Sequence, residues 1–354
     1  MRIQDLDANF KFDTVTQEDI EWVSALDERV SLYGVYYDED ERSFVRMPSS
    51  VTKQVSENVE RLAKRASGGR VRFITNSPYI AIRSVNVDTG LGHHFTLVSN
   101  YGYSIYSEEG YHAMLSPTFD LLRANQGGDI AYEGIKHFGA KKRQYTICMP
   151  PYGQVRALFI GIQKGSILKK AKPYKNENAP VVFYGSSITQ GGCVSRPGQD
   201  YTAMCTRDLK LHYLNFGFSG NCRGELVLAD YFATLPMSVF VLDYDHNAPN
   251  ADFLSSTHEA FYLRLRALRP DLPIVMVTRP THTSQWRERK VVVLATYERA
   301  LANGDENVYY VDGSKFFPEA LRPYTTVDEV HPNDLGFYLM AKKMKRILRE
   351  ILEK

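Results

Sequence analysis

The chain has little that would point to a membrane, a nucleic acid or a metal. No apolar run approaches the ~18 residues needed to cross a bilayer. Its 43 basic and 41 acidic side chains leave a formal net charge of +2, so no polyanionic partner is expected. The four cysteines, Cys148, Cys193, Cys205 and Cys222, form no C-x-x-C pair or other ligand spacing. They read as free thiols in a reducing compartment. Met1–Asp7 carries no apolar secretory segment, so a cytoplasmic protein is expected. There is no P-loop. Gly90-Leu91-Gly92-His93-His94 lacks the third glycine of a dinucleotide fingerprint, and His93-His94 reads as turn chemistry rather than metal ligation. His258-Glu259-Ala260-Phe261-Tyr262 lacks the second histidine of a zinc-protease helix. No Gly-x-Ser-x-Gly elbow is present, which argues against the α/β-hydrolase fold.

What is there is ordinary for a globular protein: 44% hydrophobic and 24% charged residues. A chain of 354 residues exceeds the usual single domain, so two are expected. The 23 tyrosines fit a sugar or aromatic site, but packing accounts for them as readily.

The two halves have different rhythms. From Val181 onward, apolar runs at Val181–Gly185, Leu211–Phe216, Val239–Tyr244, Pro273–Thr278 and Val308–Val311 read as strands. Between them, Gln199–Leu209, Gly224–Leu235, Asp252–Leu268 and Ser284–Ala302 have helical spacing. Asn333–Leu352 carries an i, i+3/i+4 apolar stripe after a Pro332-Asn333 start signal. This alternation predicts a doubly wound parallel five-stranded sheet, an α/β fold of flavodoxin type. The first half has short runs with period-2 alternation: Phe44–Met47, Val71–Thr75, Tyr79–Val87, Phe95–Val98, Tyr103–Tyr106, Gln144–Cys148 and Val155–Ile162. They predict an antiparallel, jelly-roll-like β-sandwich. Gln17–Leu26 and Val51–Ala66 read as helices. The expected division is a β-domain over 1–170, a polar linker over 171–180 and the α/β domain over 181–354.

Ser187 stands just past the first of those parallel strands, in Gly185-Ser186-Ser187-Ile188. A hydroxyl there can face the crevice at the carboxyl edge of the sheet, with helix N–H groups nearby. Near the other end stands Asp328-Glu329-Val330-His331. Asp and His three apart can meet on one turn, the carboxylate taking the Nδ1 proton and leaving Nε2 as a base. This loop follows the fifth strand and falls on the same edge. So do Asn215-Phe216-Gly217-Phe218-Ser219-Gly220-Asn221 and Asp243-Tyr244-Asp245-His246-Asn247-Ala248. A Gly220 N–H and an Asn247 amide could hold an oxyanion.

These four segments, in this order, resemble the blocks of the SGNH/GDSL hydrolase superfamily. Gly185-Ser186-Ser187-Ile188 stands in the Gly-Asp-Ser-Leu position, with Ser186 replacing the usual Asp. Gly220 matches the glycine block, Asn247 the asparagine block and Asp328-x-x-His331 the last. The third block departs from Gly-x-Asn-Asp, which leaves Asp243 and His246 as other candidates for the polar group. The first half resembles the β-domain of a GDSL-like lipase/acylhydrolase branch with a Gly-x-Asp-Leu-Tyr signature. Here Thr118 and Leu122 replace the Gly and Tyr around Phe119-Asp120-Leu121.

The resemblance implies a Ser187–His331–Asp328 triad and an oxyanion hole of Ser187, Gly220 and Asn247. It implies an ester substrate, a small molecule or an oligosaccharide, with no cofactor, no metal, no nucleic acid and no membrane. It further implies removal of acetyl or other short acyl groups from carbohydrate. An acyltransferase and a sugar-binding module with a degenerate hydrolase domain are the alternatives.

Overall fold

A computed structural model of the chain describes residues 15–90, 92, 94–118, 121–122 and 127–353. Met1–Asp7, His93 and the Phe119-Asp120 pair lie outside the described residues.

Two large antiparallel sheets, with a small two-stranded one pairing Tyr36–Asp38 and Ser43–Val45, make up the first half. One orders Ile20–Ser24, Gln154–Gln163, Tyr79–Val87 and Asp129–His137 side by side. The other runs Leu168–Lys170, Arg70–Thr75, Arg143–Cys148, Tyr103–Ser107 and Gly110–Leu115, with Ser31–Tyr33 also paired to Arg70–Thr75. Their inward residues share one core, with Ile80, Ile82, Val155 and Ile160 facing Val71, Phe73, Tyr145 and Ile147. This is the expected sandwich, because each strand buries every second side chain.

Three local expectations failed. Ile20–Ser24 is a strand, not a helix, paired antiparallel with Phe159–Gln163. Its alternating Ile20 and Trp22 pack on Tyr79, Ala81 and Ile135. A strand edge that buries Trp outweighs weak local helix spacing. Phe95–Val98 is not a strand: Thr96 caps a helical turn over Leu97–Tyr101 by accepting from Ser99 N at 3.1 Å. Val51–Ala66 is broken into Ser49–Thr52 and Glu57–Ala63, where the Ser56 hydroxyl accepts from Val59 N and restarts the helix.

The second half is a five-stranded parallel sheet: β1 (Val181–Gly185), β2 (Tyr213–Gly217), β3 (Val239–Asp243), β4 (Ile274–Val277) and β5 (Val308–Val311). Their order is β2-β1-β3-β4-β5, the flavodoxin-like arrangement. Along β1, Val182 and Tyr184 enter one core, while Val181 and Phe183 enter the other. α3 (Leu226–Thr234), α4 (Ala251–Leu268) and α5 (Trp286–Ala302) cover the first face. α2 (Tyr201–Leu209) and α6 (Asp334–Leu352) cover the other. The short α1 (Ser187–Gln190) begins at the end of β1. Many tyrosines serve packing: Tyr101, Tyr103, Tyr145, Tyr184, Tyr201 and Tyr244 are among the largest fully buried side chains. Among the described residues, no helix is long and apolar enough to cross a membrane.

The two halves share structure. Met47, Val59, Leu62 and Ala63 pack into the core around Tyr184 and Phe232. Arg46, fully buried, donates to Leu62 O and Arg65 O in its own half and to Asn215 O and Gly217 O at the end of β2. A planar guanidinium can serve four carbonyls at once, which a lysine cannot. This pins the sandwich to the carboxyl end of β2, the edge strand that pairs with β1 up to Gly185 and Gly217.

Candidate active site

β1 ends at Gly185, whose missing side chain is required: a Cβ there would collide with Thr189 Oγ1 and Asp243 O. Ser186 caps α1, its hydroxyl accepting from Ile188 N at 3.2 Å. Ser187 is the first residue of this one-turn helix, and Gly191 ends it at φ +99°. The helix at the serine is therefore α1 and not the Gln199–Leu209 segment, whose cap is Asp200 and which starts a loop later.

Ser187 is buried but for 6% of its surface, and its Oγ lies 2.8 Å from His331 Nε2. His331 Nδ1 lies 2.7 Å from Asp328 Oδ2. The other carboxylate oxygen accepts from the backbone N–H groups of His331, at 2.7 Å, and Val330. This tight turn forces Glu329 to φ +66°, a region that costs a side-chain-bearing residue roughly 1–2 kcal/mol. Burial alone would raise the Asp328 carboxyl, but the hydrogen bonds and charge of His331 hold it below its usual range.

Gly220 sits at φ +72° in the turn after β2. Among the described residues its N–H has no hydrogen-bond partner. The Asn247 carboxamide oxygen accepts from Cys222 N at 3.2 Å, which fixes the group and leaves Nδ2 without a described protein partner. Cys222 in turn donates through its thiol to Gly185 O, so Asn247 is tied to the same strand end as Ser187. The other candidates make no described hydrogen bond to Ser187 or to the Gly220 turn. Asp243 is buried beneath the serine turn, accepting from Tyr201 Oη at 2.7 Å and Thr189 Oγ1 at 3.0 Å. Burial raises its carboxyl to about 7. Asp245 accepts from Arg279 N at 3.0 Å. His246 lies in the field of His331, and burial, then Arg279, holds its imidazole well below the usual value.

Several groups around the serine had no signal in the sequence. Gln190 Oε1 accepts from Ser219 N at 2.9 Å, and its Nε2 donates to Pro151 O at 3.2 Å. Its backbone oxygen accepts from Ser67 Oγ at 2.7 Å. One side chain thus links the serine turn, the Gly220 turn and the sandwich. His94 brings its Nε2 to 3.8 Å from Asp328 Oδ2 and its ring to 5.4 Å from that of His331. Only folding could join residues so far apart in sequence.

His94, Cys193 and His331 also offer possible metal-ligand atoms within 4.8 Å of one another, which sequence spacing did not reveal. They fit a metal poorly. Burial pushes the Cys193 thiol up to about 12, and both His331 ring nitrogens are engaged by Ser187 and Asp328.

Comparison with known proteins agrees with this architecture. The model for the GDSL-like Lipase/Acylhydrolase family matches residues 178–349. The model for the N-terminus of SGNH-hydrolase-type esterases, named for Gly-x-Asp-Leu-Tyr, matches residues 20–168. The chain belongs to the GDSL-like lipase/acylhydrolase branch of the SGNH hydrolases, a family of esterases, that carries an N-terminal β-domain. It is similar over 94% of its length, and 98% of the other chain, to a protein from Bacteroides ovatus described as a GDSL-like lipase, at 25% identity and a TM-score of 0.82. The fold also matches the salicylyl-acyltransferase SsfX3 from a tetracycline biosynthetic pathway: TM-score 0.76, 16% identity, 95% and 98% of the two chains. A third match is an acetyl xylan esterase, Est2A, from the rumen bacterium Butyrivibrio proteoclasticus: TM-score 0.59, 13% identity, 94% and 99% coverage. No curated protein matches the chain.

Proposed function

We propose that the chain is a serine esterase that removes acetyl or other short acyl groups from carbohydrate. Ser187 is the nucleophile, His331 the general base and acid, and Asp328 the group that orients His331. The observation that carries this reading is the unbroken line from Ser187 Oγ to His331 Nε2 at 2.8 Å and from His331 Nδ1 to Asp328 at 2.7 Å.

The steps follow from that line. His331 Nε2 takes the Ser187 proton as Oγ bonds to the acyl carbon. The carbonyl electron pair moves to oxygen, which the N–H groups of Ser187 and Gly220 and the Asn247 amide stabilise. Collapse of this adduct breaks the ester bond, and His331 gives its proton to the departing alcohol. Water then repeats the sequence on the acyl-enzyme, releasing the acid and free Ser187. Asp328 stays ionised throughout and stabilises the imidazolium. The acetyl reading draws support from the fold it shares with the acetyl xylan esterase. Its test is acetate release from acetylated oligosaccharides set against 4-nitrophenyl octanoate turnover. Faster octanoate cleavage with no acetate from any glycan would exclude the sugar substrate.

A second reading keeps the site and changes the acceptor. The TM-score of 0.76 to the salicylyl-acyltransferase favours transfer of the acyl group to a hydroxyl. Product analysis with and without an added alcohol separates the two, since only a transferase makes the new ester in preference to the acid.

A further inference from the structure

Beside the serine turn, the first half of the chain, together with Ser219 of the second, forms a cleft of about 200 Å³. Arg61, Arg65, Thr89, Phe95, Tyr152 and Ser219 line it. It meets the catalytic groups proposed above at three points. Ser219 precedes Gly220. The Tyr152 hydroxyl lies 3.4 Å from the Ser187 carbonyl oxygen. Phe95 follows His94, whose ring faces His331. Phe95 and Tyr152 lie against each other, centroids 4.4 Å apart and planes 34° apart, and form one aromatic wall.

The charge of this pocket is one-sided. Among the described residues, two arginines line it and no acidic residue does. Among the described residues, neither arginine has an acid within ion-pair distance, and Arg61 stands exposed at the rim while Arg65 is buried. Arg65 is only 7% exposed, and a single amino group of it donates, to Tyr152 O. Its Nε and second amino group have no described protein partner. Arg46, its buried neighbour, is the contrast, with every nitrogen donating and four carbonyls served. Burial, and then the charge of Arg61, pull the Arg65 guanidinium down to about 10. Two like charges held beside one small cleft, one of them desolvated, are costly unless a ligand brings the counter-charge.

We propose that this pocket is a carboxylate subsite, and that the alcohol portion of the substrate is an acidic sugar, an O-acetylated uronic-acid saccharide. Its carboxylate pairs with Arg61 and Arg65, and its ring lies along Phe95. The assignment rests on the esterase reading above: an acetyl group has no atom that could carry the charge, so the charge belongs to the alcohol. Guanidinium forks suit a planar carboxylate, and charge-assisted pairs of this kind are the strong ones.

The test compares 4-acetoxybenzoate with its methyl ester, which differ in one charge, and acetylated galacturono-oligosaccharides with acetylated xylo-oligosaccharides. Each pair is run with the full chain, wild type and variants. The ratio of kcat/KM, charged over neutral, is the readout, because it cancels intrinsic reactivity. Arg61→Gln and Arg65→Gln are expected to lower the ratio about tenfold, mainly through KM, the factor that ~1.4 kcal/mol of lost pairing gives. Arg61→Glu is expected to invert it. Arg61 is exposed on the short Glu57–Ala63 helix, so its variants test the idea even where Arg65→Gln fails to fold. A ratio unchanged in Arg61→Glu overturns the subsite while leaving the esterase reading intact. A preference that follows a carboxylate on the acyl side, as in a 4-nitrophenyl hemisuccinate, overturns the alcohol assignment. No turnover of any ester by wild type removes the esterase reading itself.

Discussion

His94 and His331 address the same oxygen of Asp328: Oδ2 lies 2.7 Å from His331 Nδ1 and 3.8 Å from His94 Nε2. One imidazole comes from the β-sandwich and the other from the loop before α6. The sandwich therefore reaches the carboxylate that holds His331.

Removing that carboxylate tests the orientation it provides. Asp328→Asn keeps the shape but offers His331 an amide, so the wrong tautomer is stabilised. We expect kcat for 4-nitrophenyl acetate to fall by ~10³–10⁴-fold. His94→Phe should cost less than about tenfold, because His331 and Val330 N–H groups still hold Asp328. Steady-state kinetics of the two variants check the order, and a larger loss in His94→Phe would reverse the assignment.

Ser187→Ala should reduce the same turnover by at least ~10³-fold and abolish fluorophosphonate labelling, leaving the melting temperature near that of wild type. Ser186→Ala should do the reverse. It removes the hydroxyl that caps α1, so about 1 kcal/mol of stability is expected to go while labelling is retained. Mass spectrometry of labelled protein and a urea titration separate the two serines.

Asn247→Ala should lower kcat by ~10²–10³-fold with little change in KM, the pattern of a donor used in the transition state. Its oxygen is already committed to Cys222 N, so Asn247→Asp offers no free donor and should be no better. A KM effect alone would make Asn247 a binding group instead.

Asp243 predicts a pH dependence of stability. Its carboxyl is raised from 3.8 to about 7 by burial, with Tyr201 and Thr189 hydrogen bonds and the nearby Asp245 charge as smaller influences. A raised acid binds its proton more tightly folded than unfolded. Its contribution is therefore greatest at low pH and is lost as pH rises from about 4 to about 7. Asp243→Asn keeps an acceptor for both hydroxyls and removes the titration. The melting temperature of wild type relative to this variant should fall across that window, and parallel profiles would contradict it.

Arg46→Met should destabilise the protein by about 3 kcal/mol or more, since four buried carbonyls lose their donor. Two of them end β2, so kcat should fall as well, through the displaced Gly220 turn. Urea unfolding followed by circular dichroism gives the first quantity. A stable variant with full activity would show that the pin is dispensable.

The strands of the parallel sheet and the serine and Asp-x-x-His segments were legible because their signals are local. A strand buried on both faces is apolar throughout, as Val181–Gly185 is, and an orienting acid three residues from its base needs one turn. Topology then carries the rest, since β-α connections bring the loops after β1, β2, β3 and β5 to one edge whatever their sequence separation. The first half was read less well. Ile20–Ser24 becomes a strand only because Gln154–Gln163 offers an open edge and Tyr79, Ala81 and Ile135 offer Trp22 a surface. Neither is present within a ten-residue window. The same holds for the site: Arg46, Arg65, His94 and Gln190 look like surface polar residues in the sequence. Their partners lie tens to hundreds of residues away along the chain, so packing alone decides where they stand.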